Sequence, residues 1–290
     1  MPTVKATDKV SASTVFSSTQ NKAVMVGKNA STGAFETWTW DGANWSQVTA
    51  AQPPNRIHHA ISDDGSNVML FGGTGGYTHL NDTWTFNGTT WTQQNLSTYP
   101  DGRSLFDTAY LAGTGVIMFG GKNASKVFND TWLWNGTAWS KLNPVSVPPP
   151  RFGHNLAASG STIAMFGGAN NSGYLNDTWT FNGTVWTNVS TTPTSPSGRI
   201  DFGFVYDTAH SQWVLFGGRN YQGVNNETWT FNGTSWTKQA VPPAGSPPGR
   251  SNPQMAFDTV RNQVVLFGGK DNNKTLGDTW VWNGSTWTQI

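Results

Sequence analysis

The chain writes one eleven-residue phrase six times. It stands as NDTWTFNGTTW from Asn81 and returns as FETWTWDGANW from Phe35, NDTWLWNGTAW from Asn129, NDTWTFNGTVW from Asn176, NETWTFNGTSW from Asn226 and GDTWVWNGSTW from Gly277. The first Trp of each copy is Trp38, Trp84, Trp132, Trp179, Trp229 and Trp280, so successive copies lie 46, 48, 47, 50 and 51 residues apart. A period near fifty sustained through a chain means repeated units, each leaving a hydrophobic face for its neighbour to cover. Six copies within 290 residues leave no room for a second domain. A single domain over 1-290 is expected, with units approximately 5-50, 51-98, 99-145, 146-193, 194-242 and 243-290.

Each unit carries four strand signals and no helix signal. A first strand of small and apolar residues, such as Phe202 to Tyr206, runs into the turn Asp207-Thr208-Ala209. The second strand is a continuous apolar run, as in Val68 to Phe71, Val116 to Phe119 and Ile163 to Phe166. Continuous rather than alternating hydrophobicity requires cover on both faces. The run ends in Gly-Gly at Gly72, Gly120, Gly167, Gly217 and Gly268, and a loop of variable length follows. The third strand alternates, with Trp84 and Phe86 on one face and Thr83 and Thr85 on the other. Asn87-Gly88 and its repeats at Asn135, Asn182, Asn232 and Asn283, with Asp41-Gly42 in the first unit, read as two-residue hairpins of type I′. A short fourth strand carries Trp91 and its equivalents, and Pro-rich linkers such as Asn143 to Pro150 and Pro242 to Gly249 cross to the next unit.

Four antiparallel strands per unit and six units give an all-β fold, a six-bladed β-propeller. Fifteen of the 16 Trp residues fall on third and fourth strands, where inter-blade packing rather than sugar stacking accounts for them. Aligning the first unit on the last without a gap places Lys9 against Arg250 and Gly27 against Gly268. The expected ring therefore starts and ends at a blade boundary, without a shared blade, and closes by packing of blade 1 on blade 6.

Composition narrows the partners. Charged residues are 11% and net charge is +1, too weak a field to argue for nucleic acid or an anionic membrane. No apolar run is long enough to span a bilayer, and Met1-Pro2-Thr3 does not open a signal peptide. The low charge and abundant Asn, Thr and Gly favour a secreted or cell-surface setting slightly over a cytoplasmic one, with any leader outside this sequence. Sequons such as Asn87-Gly88-Thr89 have a structural reason to recur and add little to that expectation. A monomer is expected. With Cys 0, disulfides and thiolate metal sites are excluded.

The Phe-Gly-Gly, the acidic-Thr-Trp strand and the closing Trp together resemble the kelch repeat, including the propeller of the galactose oxidase type. The resemblance covers essentially the whole chain. It departs in blade 1, where Val26-Gly27-Lys28 replaces Phe-Gly-Gly. A copper radical oxidase, which the galactose oxidase likeness would imply, is disfavoured because its tyrosine-cysteine cofactor cannot form without Cys.

Every unit opens with a basic residue, Lys9, Arg56, Arg103, Arg151, Arg199 or Arg250, and holds one acid before its Thr-Trp pair, Glu36, Asp82, Asp130, Asp177, Glu227 or Asp278. Repeat-wide opposite charges read as structural pairs that staple blade to blade. Function belongs where the units differ. The kelch resemblance implies a ligand face at the channel mouth, built one or two residues after the opening base and in the loops after Gly-Gly. Carried onto this sequence, the first set is His58, Ser104, Asp201 and Asn252; the second is Lys122, Asn123, Arg219, Asn220, Tyr221, Lys270 and Asp271, joined by Lys28 in blade 1. Several cations there would favour an anionic ligand, although solvated loop charges are the plain alternative. His59 and His154 share one place, three residues after their Arg, and read as core residues. His58 should point the other way by strand alternation. His79 and His210 fall in a loop and a turn with nothing to gather them.

The leading expectation is a non-catalytic binding module that holds a protein segment or saccharide and needs no cofactor. The alternatives are a metal-dependent enzyme with a mononuclear site around His58 and Asp201, and a structural scaffold. An enzyme would show His and carboxylate clustered at the mouth; a binding module would show anchors such as Tyr77, Tyr221 and Arg219.

Overall fold

The computed structural model describes residues 9–29, 31–41, 44–190, 194–241 and 245–290, with side chains from residue 12 onward. Its contacts divide it into two compact units, Met1–Asn143 and Pro144–Ile290. The first holds three four-stranded antiparallel sheets: Lys9–Ser17, Lys22–Asn29, Phe35–Trp40 and Trp45–Val48; Ala60–Asp63, Val68–Phe71, Thr83–Phe86 and Trp91–Gln94; and Asp107–Leu111, Gly115–Phe119, Thr131–Trp134 and Trp139–Leu142. The second holds Asn155–Ala158, Ile163–Phe166, Thr178–Phe181 and Trp186–Asn188; Gly203–Asp207, Gln212–Phe216, Thr228–Phe231 and Trp236–Lys238; and Gln254–Asp258, Gln263–Phe267, Thr279–Trp282 and Trp287–Gln289. Among the described residues there is no α-helix. This is the all-β, six-bladed propeller class, and every blade takes its four strands from one continuous stretch of chain.

The cores lie between neighbouring sheets of a unit. Ala60, Met69 and Phe71 of blade 2 pack with Phe106, Val116, Met118, Trp132, Trp134 and Trp139 of blade 3. Ala157, Ala164 and Phe166 of blade 4 do the same with Phe204, Leu215, Phe231 and Trp236 of blade 5. The apolar runs Val68 to Phe71, Val116 to Phe119 and Ile163 to Phe166 are fully buried, as a strand covered on both faces must be. Third-strand threonines are buried too, because the next blade uses them. Trp91 Nε1 donates to Thr37 Oγ1 at 2.8 Å, Trp139 to Thr83 at 2.9 Å, Trp236 to Thr178 at 2.8 Å and Trp287 to Thr228 at 2.9 Å. In blades 2, 3, 5 and 6 the fourth-strand indole thus joins the blade to the one before it, with an apolar ring and a satisfied N–H in one side chain.

Two expectations are corrected here. The staple between blades is this indole–hydroxyl bond, whereas the Arg–acid pairs lie within single blades. Arg56 and Asp82 precede the first and third strands of the same sheet, so their pairing closes a blade on itself. The Asn-Gly turns are also not two-residue hairpins. Phe86 pairs with Trp91, leaving residues 87–90 as a four-residue loop. Only the Gly has positive φ, +100° at Gly88, whereas type I′ needs it at both central positions. The Asn side chain builds the loop instead, since Asn87 Oδ1 accepts from Thr89 N at 3.0 Å and Thr90 N at 2.9 Å. Gly42 of the Asp41-Gly42 turn and part of the Pro242 to Gly249 linker lie outside the described residues.

Candidate functional site

The repeat-wide charges form a fixed frame. In blade 2 the guanidinium of Arg56 grips Asp82 with both ends, at 2.6 and 2.7 Å, and donates to the Gly72 carbonyl at 3.0 Å. Trp84 Nε1 adds a 2.7 Å bond to the same carboxylate. Blades 3, 4 and 6 repeat this through Arg103–Asp130, Arg151–Asp177 and Arg250–Asp278. In blade 5 Arg199 meets Glu227 at 2.7 Å, and Lys238 meets it from the other side at 2.6 Å. The five Arg side chains are wholly buried. Burial pushes each carboxylate toward protonation, but the Arg hydrogen bonds and charge outweigh it. Asp82, Asp130, Asp177 and Asp278 are held below the usual range, and Glu227, with Lys238 as well as Arg199, is lowered to about 2. In blade 1 Glu36 accepts from Trp38 Nε1 at 2.8 Å and Asn29 Nδ2 at 3.0 Å, while the Lys9 side chain lies outside the described residues. With the Arg guanidiniums buried and each acid gripped by its partners, these side chains hold the fold.

The frame sets up a second feature at the Gly-Gly end. In blades 2 to 6 the residue after the Arg bridges by backbone to the first residue after Gly-Gly: Ile57 with Thr74, Ser104 with Lys122, Phe152 with Ala169, Ile200 with Arg219 and Ser251 with Lys270. The two sets of candidate residues are therefore neighbours within each blade. Gly-Gly is required for this approach. A Cβ on Gly121 would meet Phe106 Cβ at 2.7 Å and the Ser104 carbonyl at 2.9 Å, and both Gly120 and Gly121 have positive φ. The loop beyond does not hang free but folds back, in blades 2, 4 and 5, as a two-residue ribbon: Thr74–Gly75 with Thr78–His79, Ala169–Asn170 with Gly173–Tyr174, and Arg219–Asn220 with Gly223–Val224.

The next residue along each Arg segment turns left-handed: His58 (φ 56°), Leu105 (57°), Gly153 (68°), Asp201 (57°) and Asn252 (53°). His58 therefore stands in a bend before the strand, and strand alternation does not set its direction. Leu105 N donates to His58 O at 3.2 Å, and Asn252 N to Asp201 O at 2.6 Å, linking neighbouring blades at this level. Sequence reasoning missed this backbone role. The signal was present in four of the five blades, because His58, Gly153, Asp201 and Asn252 are of types that tolerate positive φ best, with Leu105 the exception.

The sequence model of the KLHDC2/KLHL20/DRC7 Kelch-repeats domain matches residues 27–168 and 108–290. The chain belongs to the kelch-repeat family. Among solved structures, that of YjhT aligns with a TM-score of 0.74 over 97% of this chain and 96% of its own, at 14% sequence identity, so the likeness is one of fold. No curated protein matches in sequence.

On this kelch frame the candidate side chains fare differently. His58 and Asn252 are exposed, whereas Ser104 is buried. Arg219 Nε donates to Asp201 Oδ2 at 2.7 Å, so this cation arrives already paired. Lys270 is exposed; Lys122 and Lys28 are half-buried. Asn123 and Asp271 shape their own loops, Asn123 Oδ1 accepting from Ser125 N and Lys126 N and Asp271 Oδ1 from Asn273 N and Lys274 N. Those amide bonds hold the Asp271 carboxyl below its usual range. Asn220 Nδ2 donates to Ser197 Oγ at 3.0 Å. Tyr221 stands at a ribbon tip, 82% exposed, with its ring 4.6 Å from that of Tyr174. Tyr77 is the fully exposed tip of the blade 2 ribbon.

His59 is a core residue, edge-on to Phe35 at 5.3 Å; burial first, then the charge of nearby Arg56, lowers its pKa to about 3. His154 is likewise buried. His210 has a partner that sequence order hid: its Nδ1 lies 2.8 Å from Oδ2 of buried Asp207, in a turn remote from the Gly-Gly end, against Gly284. Among the described residues no three His, Cys, Asp or Glu side chains gather as a metal-binding group.

Proposed function

We propose that the chain is a non-catalytic recognition module whose ligand surface is the Gly-Gly end of its blades. A kelch propeller is in general a binding or interaction module. The observation that carries the assignment to this end is the backbone bridge repeated in blades 2 to 6. One rigid geometry is reused five times while the side chains on it change: Thr74, Lys122, Ala169, Arg219 and Lys270 occupy equivalent places. A fixed scaffold with variable exposed side chains is how a fold presents a specific surface. The ligand class is a protein segment or a saccharide; the side chains available to meet it are His58 and Lys122 in the first unit and Tyr221, Asn252 and Lys270 in the second.

The test is binding of the purified chain to an array of oligosaccharides, neutral and acidic, and to an array of synthetic peptides. Lys122→Ala, Tyr221→Ala and Lys270→Ala probe the Gly-Gly end, and Thr137→Ala and Thr234→Ala probe the Asn-Gly turns. Saturable binding weakened by the first set and untouched by the second is expected. Binding that follows only the second set, or none on either array, would overturn the proposal.

A further inference from the structure

The geometry points to a saccharide-stacking subsite on blades 4 and 5, with Tyr221 as its platform, Tyr174 as its wall, and uncharged amides and hydroxyls as its hydrogen-bonding rim. The inference rests on the reading of the Gly-Gly end as the ligand surface and adds the class of ligand for this patch.

Three observations combine. First, Tyr221 is 82% exposed at a tip where turn chemistry calls for nothing of the kind. Its equivalent at the blade 4 tip is Asn171, the sort of residue a tight turn favours. Second, the exposed ring is held rather than loose. It lies tilted by 58° to Tyr174, centroids 4.6 Å apart, and its hydroxyl sits over Gly173, where a Cβ would collide with it. Gly173 has φ +126° and leaves the space that the hydroxyl fills. The ribbon bearing Tyr221 is braced at its base as well, because Asn220 Nδ2 donates to Ser197 Oγ, and Ser197 Oγ takes a 2.8 Å bond from buried Arg199. A rigid aromatic face loses little entropy on binding, which is the property a recognition anchor needs.

Third, the surroundings select the ligand. The two ribbon tips supply Asn171, Ser172 and Gln222, all exposed; Arg199 is buried against Glu227, and the exposed guanidinium of Arg219 is balanced by Asp201. Among the described residues of this unit, the other exposed large apolar side chains are Val145 and Val147 in a linker, Val185 and Val260 at turns of the far end, and Ile290. A peptide anchor would be ringed by apolar contacts and would bury them. An aromatic face rimmed by neutral donors and acceptors instead suits a neutral pyranose. The C–H face of the sugar covers the ring, and its equatorial hydroxyls exchange hydrogen bonds with amides and Ser hydroxyls.

The experiment uses the whole chain on an array of neutral pyranose oligosaccharides (β-1,4- and β-1,3-glucan, galactan, mannan and chitin fragments), uronic-acid oligomers and synthetic peptides. Hits are followed by calorimetric titration of wild type, Tyr221→Ala, Tyr221→Phe, Tyr174→Ala and Lys270→Ala. A neutral oligosaccharide should bind, weaken about tenfold or more with Tyr221→Ala, weaken less with Tyr174→Ala, and keep its affinity with Tyr221→Phe, which preserves the stacking face. Because the Tyr221 ring is mostly solvated, Tyr221→Ala should leave the melting temperature unchanged, so lost affinity would not reflect unfolding. A peptide held through Tyr221, a uronic-acid oligomer preferred over every neutral sugar, or binding that responds to Lys270→Ala but to neither Tyr221→Ala nor Tyr174→Ala would overturn the saccharide subsite while leaving the recognition module standing. Absence of binding to all three panels would overturn both.

Discussion

The histidine at position 59 should make stability fall as pH drops below the ordinary histidine range. His59 is 5% exposed, lies edge-on to Phe35, and has its pKa lowered from 6.5 to about 3 by burial and by Arg56. The folded state therefore keeps this imidazole neutral from pH 8 down to about pH 3, whereas the unfolded chain binds a proton below 6.5. Stability attributable to neutral His59 is complete above pH 6.5 and drains away as pH falls toward 3. At pH 5 the unfolded chain has gained about 1.5 pH units of protonation free energy, or about 2 kcal/mol. That figure holds whether the folded pKa is 3 or 4, because both lie below 5. The comparison protein is His59→Phe, chosen because Phe106 and Phe202 fill the same place in blades 3 and 5. Denaturant titrations of both proteins at pH 8 and pH 5 isolate the residue, since every other histidine is common to the two. Relative to the variant, wild type should lose about 2 kcal/mol between the two pH values. An unchanged difference would refute the reasoning and mean that His59 is protonated in the fold or does not face a buried environment.

Other consequences follow from the frame. Asp177→Asn leaves buried Arg151 without its counter-charge and should cost about 3–5 kcal/mol in calorimetric unfolding, whereas Arg151→Met with Asp177→Leu should cost far less. Glu227, lowered to about 2, contributes stability that is present above its unfolded pKa near 4.5 and is lost as pH falls through 2. The stability difference between wild type and Glu227→Gln should therefore persist at pH 4 and shrink toward pH 2. Trp139→Phe removes the bond to Thr83 and leaves a buried hydroxyl, at a cost of about 1–3 kcal/mol; a double-mutant cycle with Thr83→Val should show coupling, which packing alone would not give.

The fold was legible because the features that specify it repeat. A closing Trp and an acid before Thr-Trp at six matched positions, with a Gly-Gly at five, state the blade in terms that no local ambiguity can blur. What repetition does not carry is which neighbour a residue meets. Arg56 and Asp82 could have joined two blades or closed one, and only the strand order decides for one blade. The turn after Phe86 was misjudged for a related reason. Asn-Gly usually signals its backbone preference, but here the Asn87 carbonyl is the determinant, and its two amide donors require the longer loop.

The site was half legible, for a physical reason that bears on its use. Reading the chain for differences between units pointed to the Gly-Gly end, because the Arg–acid–Trp sets that recur in blades 2 to 6 are consumed inside the fold. But difference alone mixes two kinds of residue. Asn123 and Asp271 vary and yet serve their own turns; His58, Asp201 and Asn252 hold a left-handed backbone that their residue types tolerate well, and Leu105 holds the same backbone in blade 3. Tyr221 belongs to neither kind, since the ribbon tip asks for a small polar residue and receives an exposed ring. Its companion Tyr174 sits one repeat earlier, where nothing in the linear sequence pairs the two, and Gly173 beside it reads as ordinary turn punctuation until the Tyr221 hydroxyl is found over it. A residue that local structure does not require, held in place by a neighbouring blade that makes room for it, is the pattern on which the proposed recognition role of this surface rests.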